Sequence, residues 1–333
     1  MKKLIRKLGI VIGSIFGIIL VIGLLIIQTL HNPHICLNIA ESFIKTEKLD
    51  LAELFTKKGI KVNSIKNLQK VHSNLTMVGL EQQLNMEYGH LYSQYSWIKY
   101  KRKDLYEAEY LIQKAIQYKK LSFQLNPSDL IRSGIINYEV GNKQFGWDNI
   151  LQALLEDANI ENTDPTTKAA IRRIVNEQVD TKVDVDDYLA KIRYENAEMV
   201  PNLSIIISDT IQMSLHDFIG NNFMVVFFNP GCGSCRQELK NISHLFQQDD
   251  APFQHVFILN QPQTIKQAYQ LLRRYDYKNP KLAILNNLNA YDLIHSEPTT
   301  WIVNKQGKII YKHVGYQKGD DETYWNEIIE IEK

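Results

Sequence analysis

The hydrophobic pattern along the chain changes its period near residue 200. Before that point apolar residues recur three and four positions apart. In "LYEAEYLIQKAIQYKKLSFQL" (105–125), Leu105, Ala108, Leu111, Ile112, Ala115 and Ile116 fall on one face, the spacing of an amphipathic helix. The stretch from residue 34 to about 198 reads as helices throughout. The segment "ENAEMVPNLS" (195–204) marks the change, and after Pro201 short β-rich runs alternate with helical ones. "LSIIIS" (203–208), "FMVVFFN" (223–229) and "HVFILN" (255–260) read as strands, and "KLAILN" (281–286) as a short strand or an extended segment. Helices are predicted over 233–246 and 264–275. "TTWIVNKQGKIIYKHVG" (299–315) reads as a hairpin turning at Gly307, and "DETYWNEIIEIE" (321–332) as a closing helix. The unbroken apolar run at 223–228 is the pattern of a parallel strand buried on both faces. Such alternation predicts a compact α/β domain over residues 199–333, preceded by a helical region over 31–198.

The helical region carries a weak internal repeat at an offset of 38 residues. Tyr100, Asp104, Ala108, Ile112, Ala115 and Pro127 map onto Tyr138, Asn142, Gly146, Ile150, Ala153 and Pro165. Small residues at 108 and 115 let paired helices approach closely. The pattern resembles tetratricopeptide helix pairs, although their period is about 34; an irregular helical bundle fits equally well.

A second apolar pattern lies at the other end of the chain. Residues 8–27, "LGIVIGSIFGIILVIGLLII", carry no charge and follow Lys2, Lys3, Arg6 and Lys7. A run of about 20 such residues is what a bilayer-spanning helix needs. It is longer than the apolar region of a cleavable signal peptide, and no A-x-A pattern follows it. With the basic flank retained inside, the expectation is a cytoplasmic stub at 1–7, a transmembrane signal-anchor helix at 8–30, and the bulk of the chain extracytoplasmic on a bacterial cell membrane, crossed once. Gly9, Gly13 and Gly17 form overlapping GxxxG spacings that would permit a homodimer through this helix.

Composition excludes several classes of function. A formal net charge of +1 and the absence of a long basic tract leave no footprint for nucleic acid. Three cysteines are too few for a disulfide scaffold, and no second CxxC completes a zinc site. The nine histidines show no metal-ligand spacing, so neither a metal nor another cofactor is expected.

The two cysteines in "FFNPGCGSCRQEL" (227–239) therefore need another explanation. They stand at a predicted strand-to-helix junction. Cys232 falls at the helix N-terminus, where unpaired backbone N–H groups and the helix dipole stabilise a thiolate. Cys235 lies one turn further in. The spacing suits reversible dithiol–disulfide exchange, with Cys232 as nucleophile and Cys235 as resolving thiol. Arg236, next in the chain, is either a thiolate-stabilising cation or a solvated helix residue. Cys36 is distant in sequence and reads as an inert thiol, an intermolecular disulfide site or a lipidation site.

Residues 201–333 resemble the thioredoxin fold, and specifically the membrane-anchored thiol–disulfide oxidoreductases of the TlpA/ResA type within the redoxin/AhpC-TSA superfamily. Three segments in the same order carry the resemblance: "VVFFNPGCGSC", "CRQEL" and "EPTTWIVNKQGKIIYKHVGY". The resemblance implies that Glu238 is the family's acid near the thiols, that Pro298 is a cis-proline, and that the backbone of Glu297 binds substrate as an added strand. Gly231, where the family usually has tryptophan, completes the implied substrate-binding set with Pro298 and Glu297. Glu238 also shares a helix face with Cys235, so its carboxylate could exchange a proton with that thiol; spacing alone leaves open a solvated glutamate. The buried aspartate of many thioredoxins corresponds to Val226.

The expected function is extracytoplasmic reduction or isomerisation of protein disulfides. A protein thiol or disulfide would be the substrate and a membrane-embedded electron donor the partner. Two other readings compete. One is a helical-repeat interaction protein with a structural or sensory thioredoxin-like domain. The other is a peroxiredoxin, for which "VVFFNPGC" (225–232) lacks the family's P-x-x-x-T-x-x-C arrangement.

Overall fold

In the computed structural model, nine helices precede the first strand among the described residues, which are 32–122, 126–160, 164–178, 184–208, 211–246, 254–259, 264–277, 280–285, 294, 296–316 and 319–332. They are α1 (Pro33–Lys45), α2 (Leu49–Val62), α3 (Ile65–Val71), α4 (Met77–Lys101), α5 (Leu105–Leu121), α6 (Pro127–Glu139), α7 (Lys143–Glu156), α8 (Pro165–Gln178) and α9 (Val185–Glu195). Their starts are written locally. Asn32, Ser64, Thr76 and Asp184 each accept a backbone N–H of the first turn through a side-chain oxygen, and Pro33 opens α1 where no N–H is needed. The apolar run at 8–27 and the spanning helix expected over 8–30 lie outside the described residues. Among the described residues no helix is long and apolar enough to cross a membrane.

The described chain forms two compact units. One takes the residues up to 122 with Arg132–Asn149, and the other takes Asn126–Ile131 with everything from Ile150 onward. The sheet-bearing unit thus begins well before the change of pattern at 195–204, because residues 157–158 are hydrogen-bonded into its sheet edge.

In the helical unit the 38-residue offset recurs in the backbone. Lys103 and Gly141, one offset apart, both take positive φ (65° and 104°) at the turn between two helices. The bonds around them match pairwise: Asp104 N donates to Lys99 O at 3.0 Å and Asn142 N to Asn137 O at 2.9 Å. Ala108 N donates to Asp104 O at 3.0 Å and Gly146 N to Asn142 O at 2.9 Å. Gly141 adopts the left-handed turn freely, whereas Lys103 does so against its Cβ. Ala108 is fully buried, and Gly146 lies so close to α6 that an added Cβ would stand 2.5 Å from Tyr138 N and 2.7 Å from Gly134 O. Cys36 is buried in α1. Burial pushes its thiol up, which favours the inert reading over a lipidated or intermolecularly paired cysteine.

The sheet unit contains β1 (Ser204–Ser208), β2 (Ile211–Ser214), β3 (Phe223–Phe228), β4 (Gln254–Leu259), β5 (Lys281–Leu285), β6 (Thr299–Val303) and β7 (Ile309–Val314). Between them lie α10 (Gly233–Ile242) and α11 (Ile265–Arg274), and α12 (Asp320–Glu332) follows β7. Strand order is β2-β1-β5-β4-β3-β6-β7. β3 and β5 run parallel to β4, while β1, β2, β6 and β7 join antiparallel. β2, which the hydrophobic pattern does not announce, extends one edge. All six residues of β3 are buried, as its unbroken apolar run requires. Met224, Val226 and Phe228 face one core with Phe257, Ile302, Cys235 and Leu239. Phe223, Val225 and Phe227 face the other with Val256, Trp301 and Val303. The outer edge of β7 is covered by chain that precedes the sheet. Ala158 N donates to Lys312 O at 2.8 Å, Ile309 N to Glu198 O at 2.8 Å, and Val200 N to Gly307 O at 2.7 Å.

Replacing Gly146 tests the close helix approach by the sign of its effect. An alanine in an exposed helix interior would stabilise by about 1 kcal/mol over glycine. Here the backbone of α6 occupies the space, so Gly146→Ala is expected to destabilise by about 1–3 kcal/mol in chemical denaturation. A stabilised variant would show that the helices are not held at this distance.

Candidate active site

The site begins where β3 ends. Asn229 organises the turn: Gly231 N donates to its side-chain Oδ1 at 2.8 Å, and Cys232 N to its backbone carbonyl at 3.0 Å. Arg236 then reaches back from α10, donating from Nη1 to Pro230 O at 3.1 Å and Gly231 O at 3.2 Å. Its guanidinium fastens the loop while the residue stays exposed to solvent, as the solvated reading has it. Gly231 itself is exposed beside Cys232.

Cys232 is the N-cap of α10. Cys235 N donates to its Sγ at 3.2 Å, and the Ser234 hydroxyl lies 3.0 Å from the same sulfur. Partial burial works against a thiolate at Cys232, but the hydrogen bonds from Cys235 and Ser234 outweigh it and hold the thiol below its ordinary value. Cys235, one turn in, is fully buried in the core. Burial pushes its thiol well up. Both thiols are free. Opposite them the Glu297–Pro298 peptide bond is cis, and the Glu297 carbonyl oxygen lies 3.7 Å from Cys232 Sγ. The structure therefore brings Cys232 and Glu297 to one surface with Gly231 exposed at its rim, while Pro298, Cys235 and Glu238 are buried beneath it.

Glu238 is fully buried, not solvated. Its Oε1 accepts from Thr300 Oγ1 at 2.7 Å and from Tyr324 OH at 2.7 Å. Its Oε2 is buried without a hydrogen-bond partner. Burial pushes this carboxyl up to about 7, although both hydrogen bonds and the nearby His313 pull the other way. A carboxyl that titrates near neutrality is suited to accept and return protons.

Sequence reasoning missed the layer behind Glu238. Val226, Thr300 and His313 stand side by side across β3, β6 and β7. Where the row lacks an acid at Val226, it holds a buried imidazole two strands away. His313 Nδ1 lies 2.9 Å from Asp157 Oδ1, and Nε2 lies 3.1 Å from Asp320 Oδ2. Burial works against a charged ring, yet these two hydrogen-bonded carboxylates raise it to about 10, so it is an imidazolium at neutral pH. Asn159 completes the cluster, its N donating to Asp157 Oδ1 at 3.1 Å and its Nδ2 to Asp320 Oδ1 at 3.3 Å. The available signal was a histidine within the strand-like run "IIYKHV", one residue after the half-buried Lys312. Among the described residues no group of three or more acidic, histidine or cysteine side chains could hold a metal ion.

Residues 195–328 match the redoxin family model. The "Thioredoxin-like protein YneN" of Bacillus subtilis is 26% identical over 127 residues, which is 38% of this chain and 75% of that protein. Similar solved structures include the thioredoxin domain of a thiol-disulfide oxidoreductase from Bacteroides vulgatus, at 19% identity and TM-score 0.33 over 40% of this chain and 96% of the other. A thiol:disulfide interchange protein from Bacteroides sp. gives 20% identity and TM-score 0.33 over 39% and 87%. A peroxiredoxin-like protein from Aquifex aeolicus gives 10% and 0.33 over 40% and 86%. The sheet unit thus carries a redoxin domain with the thioredoxin fold, behind a largely helical region. Its enzyme class is thiol–disulfide oxidoreductase.

The buried imidazolium makes stability depend on pH. A histidine raised from 6.5 to about 10 on folding contributes stability that is fully present below about 6.5 and is lost as pH climbs toward 10. Melting temperature should therefore fall across that window. His313→Gln strands two buried carboxylates, so it should cost about 3–5 kcal/mol near neutrality. It should also flatten the alkaline decline. Parallel curves for the two proteins, displaced but equally steep, would show that His313 is not charged in the fold.

Proposed function

We propose that the protein is a membrane-anchored, extracytoplasmic thiol–disulfide oxidoreductase of the TlpA/ResA type, reducing or isomerising protein disulfides through Cys232 and Cys235. The observation that carries the reading is the opposed environment of two thiols one turn apart. Cys232 caps a helix, reaches the surface and is held toward thiolate, whereas Cys235 is fully buried and held as a thiol. Only the thiolate attacks disulfides at useful rates.

Cys232 Sγ attacks one sulfur of the substrate disulfide, and the other leaves as a thiolate. The Cys235 proton passes to the Glu238 carboxylate, and Cys235 Sγ attacks Cys232 Sγ. The mixed disulfide breaks, releasing the second substrate thiolate and leaving a Cys232–Cys235 disulfide. The substrate gains two electrons and the dithiol loses them. The Glu297 carbonyl beside Cys232 offers a backbone acceptor for an extended substrate segment, flanked by Pro298 and Gly231. The uncharged run at 8–27 and its basic flank support the anchor, which also permits a homodimer through its glycines. Held beside the bilayer, the domain would be returned to the dithiol by a membrane-embedded electron donor. A potential below about −220 mV fits this direction, and one near −120 mV fits an oxidant. The 38-residue repetition favours a partner-binding role for the helical unit beside this chemistry.

Two measurements test the reading. Cys235→Ser in the full chain should accumulate mixed disulfides with substrate proteins on Cys232, and Cys232→Ser should form none; traps on Cys235 instead would reverse the assignment. In intact cells a membrane-impermeant maleimide should label reduced Cys232. Labelling that requires lysis would overturn the orientation.

A further inference from the structure

The buried cluster Asp157–His313–Asp320 has no part in the exchange steps, yet it adjoins the group that carries the proton. We propose that His313, clamped between Asp157 and Asp320, is a positioning residue for the dithiol: a fixed buried charge that sets the pH at which Glu238 can accept the Cys235 proton. This rests on the reading of Cys232, Cys235 and Glu238 as the exchanging pair and its proton carrier.

The geometry supplies two links from the cluster to the carboxyl. Tyr324 OH donates to Glu238 Oε1 at 2.7 Å, while its ring lies 6.2 Å from the His313 ring, centroid to centroid. Thr300, the other donor to Oε1, is the direct cross-strand neighbour of His313. Asp320 opens α12, the helix that carries Tyr324. Clamping His313 to Asp320 therefore also fixes α12, whose Tyr324 hydroxyl bonds the Glu238 carboxyl.

The charges facing Glu238 are few. His313 on β7 favours its ionised form, and Asp320 on α12 opposes it. Tyr324 on α12 and Tyr277 after α11 are both kept neutral by burial, the latter donating to Leu239 O at 2.6 Å. His313 is faced by Asp157, Asp320 and Tyr324, with buried Tyr311 on its own strand. Lys312 points away, toward Glu156 at 3.8 Å and Glu198 at 3.5 Å. In a low-dielectric interior, removing one of these charges moves Glu238 in a defined direction. Losing Asp320 should let Glu238 ionise at lower pH, and losing His313 should delay it to higher pH. General loosening of the core would not produce opposite signs.

One arm of the clamp comes from outside the family match, since Asp157 precedes residue 195. The full chain is therefore the material for the test. Reduced protein is mixed with 5,5′-dithiobis(2-nitrobenzoate), an aromatic disulfide. Cys232 releases one thiolate by attack, and Cys235 releases the second on closing the disulfide. Cys36 is buried and gives no fast phase. The second phase should accelerate with rising pH through a midpoint near 7, the value set by Glu238. Glu238→Gln should abolish that midpoint. Asp320→Asn should lower it and His313→Gln raise it, each by about half a unit or more. If His313→Gln does not fold, Asp320→Asn alone decides by the sign of its shift. A two-phase reaction persisting in Cys232→Ser, or an unchanged profile in Glu238→Gln, would sink the underlying reading. A midpoint that disappears in Glu238→Gln but stays at its original pH in Asp320→Asn and His313→Gln would overturn the positioning role alone.

Discussion

Much of the redox domain is arranged around one buried carboxyl. Placing Glu238 out of water penalises its charged form, and the fold answers with two hydroxyls on a single oxygen. Those hydroxyls come from β6 and α12, so the requirement to satisfy one side chain draws the strand and the last helix against α10. The second oxygen is left without a partner. Satisfying both oxygens would fix the charge state; satisfying neither would make burial too costly. Burial with one oxygen bonded leaves this carboxyl titrating near neutrality, the range in which proton exchange is efficient.

The contrast between the sulfurs follows from the same helix. At its start, backbone N–H groups have no carbonyl partners, and Cys232 Sγ accepts one of them. One turn later the groove between α10 and β3 closes over Cys235. No extra cation is needed to separate the two thiols. Arg236, the nearest candidate, is committed to the carbonyls of Pro230 and Gly231, which keeps the loop at the bend the helix start demands.

Local elements were legible in sequence because their causes are local. β3 shows itself as an apolar run, α10 as the helix after it, the cysteines by spacing, and the repeated helix pair by its 38-residue offset. The burial of Glu238 was not legible from spacing, since α10 also exposes Arg236, Gln237 and Lys240 and a glutamate among them reads as solvated. β2 is four residues long and runs directly into the short helical turn Leu215–Phe218, below what alternation can reveal. The His313 clamp joins positions 156 residues apart, and its Asp157 arm sits just past a helix that reads as part of another region. Nothing in the period of either segment encodes that meeting.

The chain segments along β7 bear on how the molecule behaves among its own copies. A terminal strand with open N–H and C=O groups is a template for intermolecular pairing. Here the bonds from Ala158, Val200 and Ile309 close much of that edge. A fragment cut at the family boundary, at residue 195, would keep the cover near Gly307 and lose the one at Lys312. Such a fragment would present a partly open strand beside an imidazole held by Asp320 alone, and self-association in concentrated solution would be a property of the cut rather than of the protein.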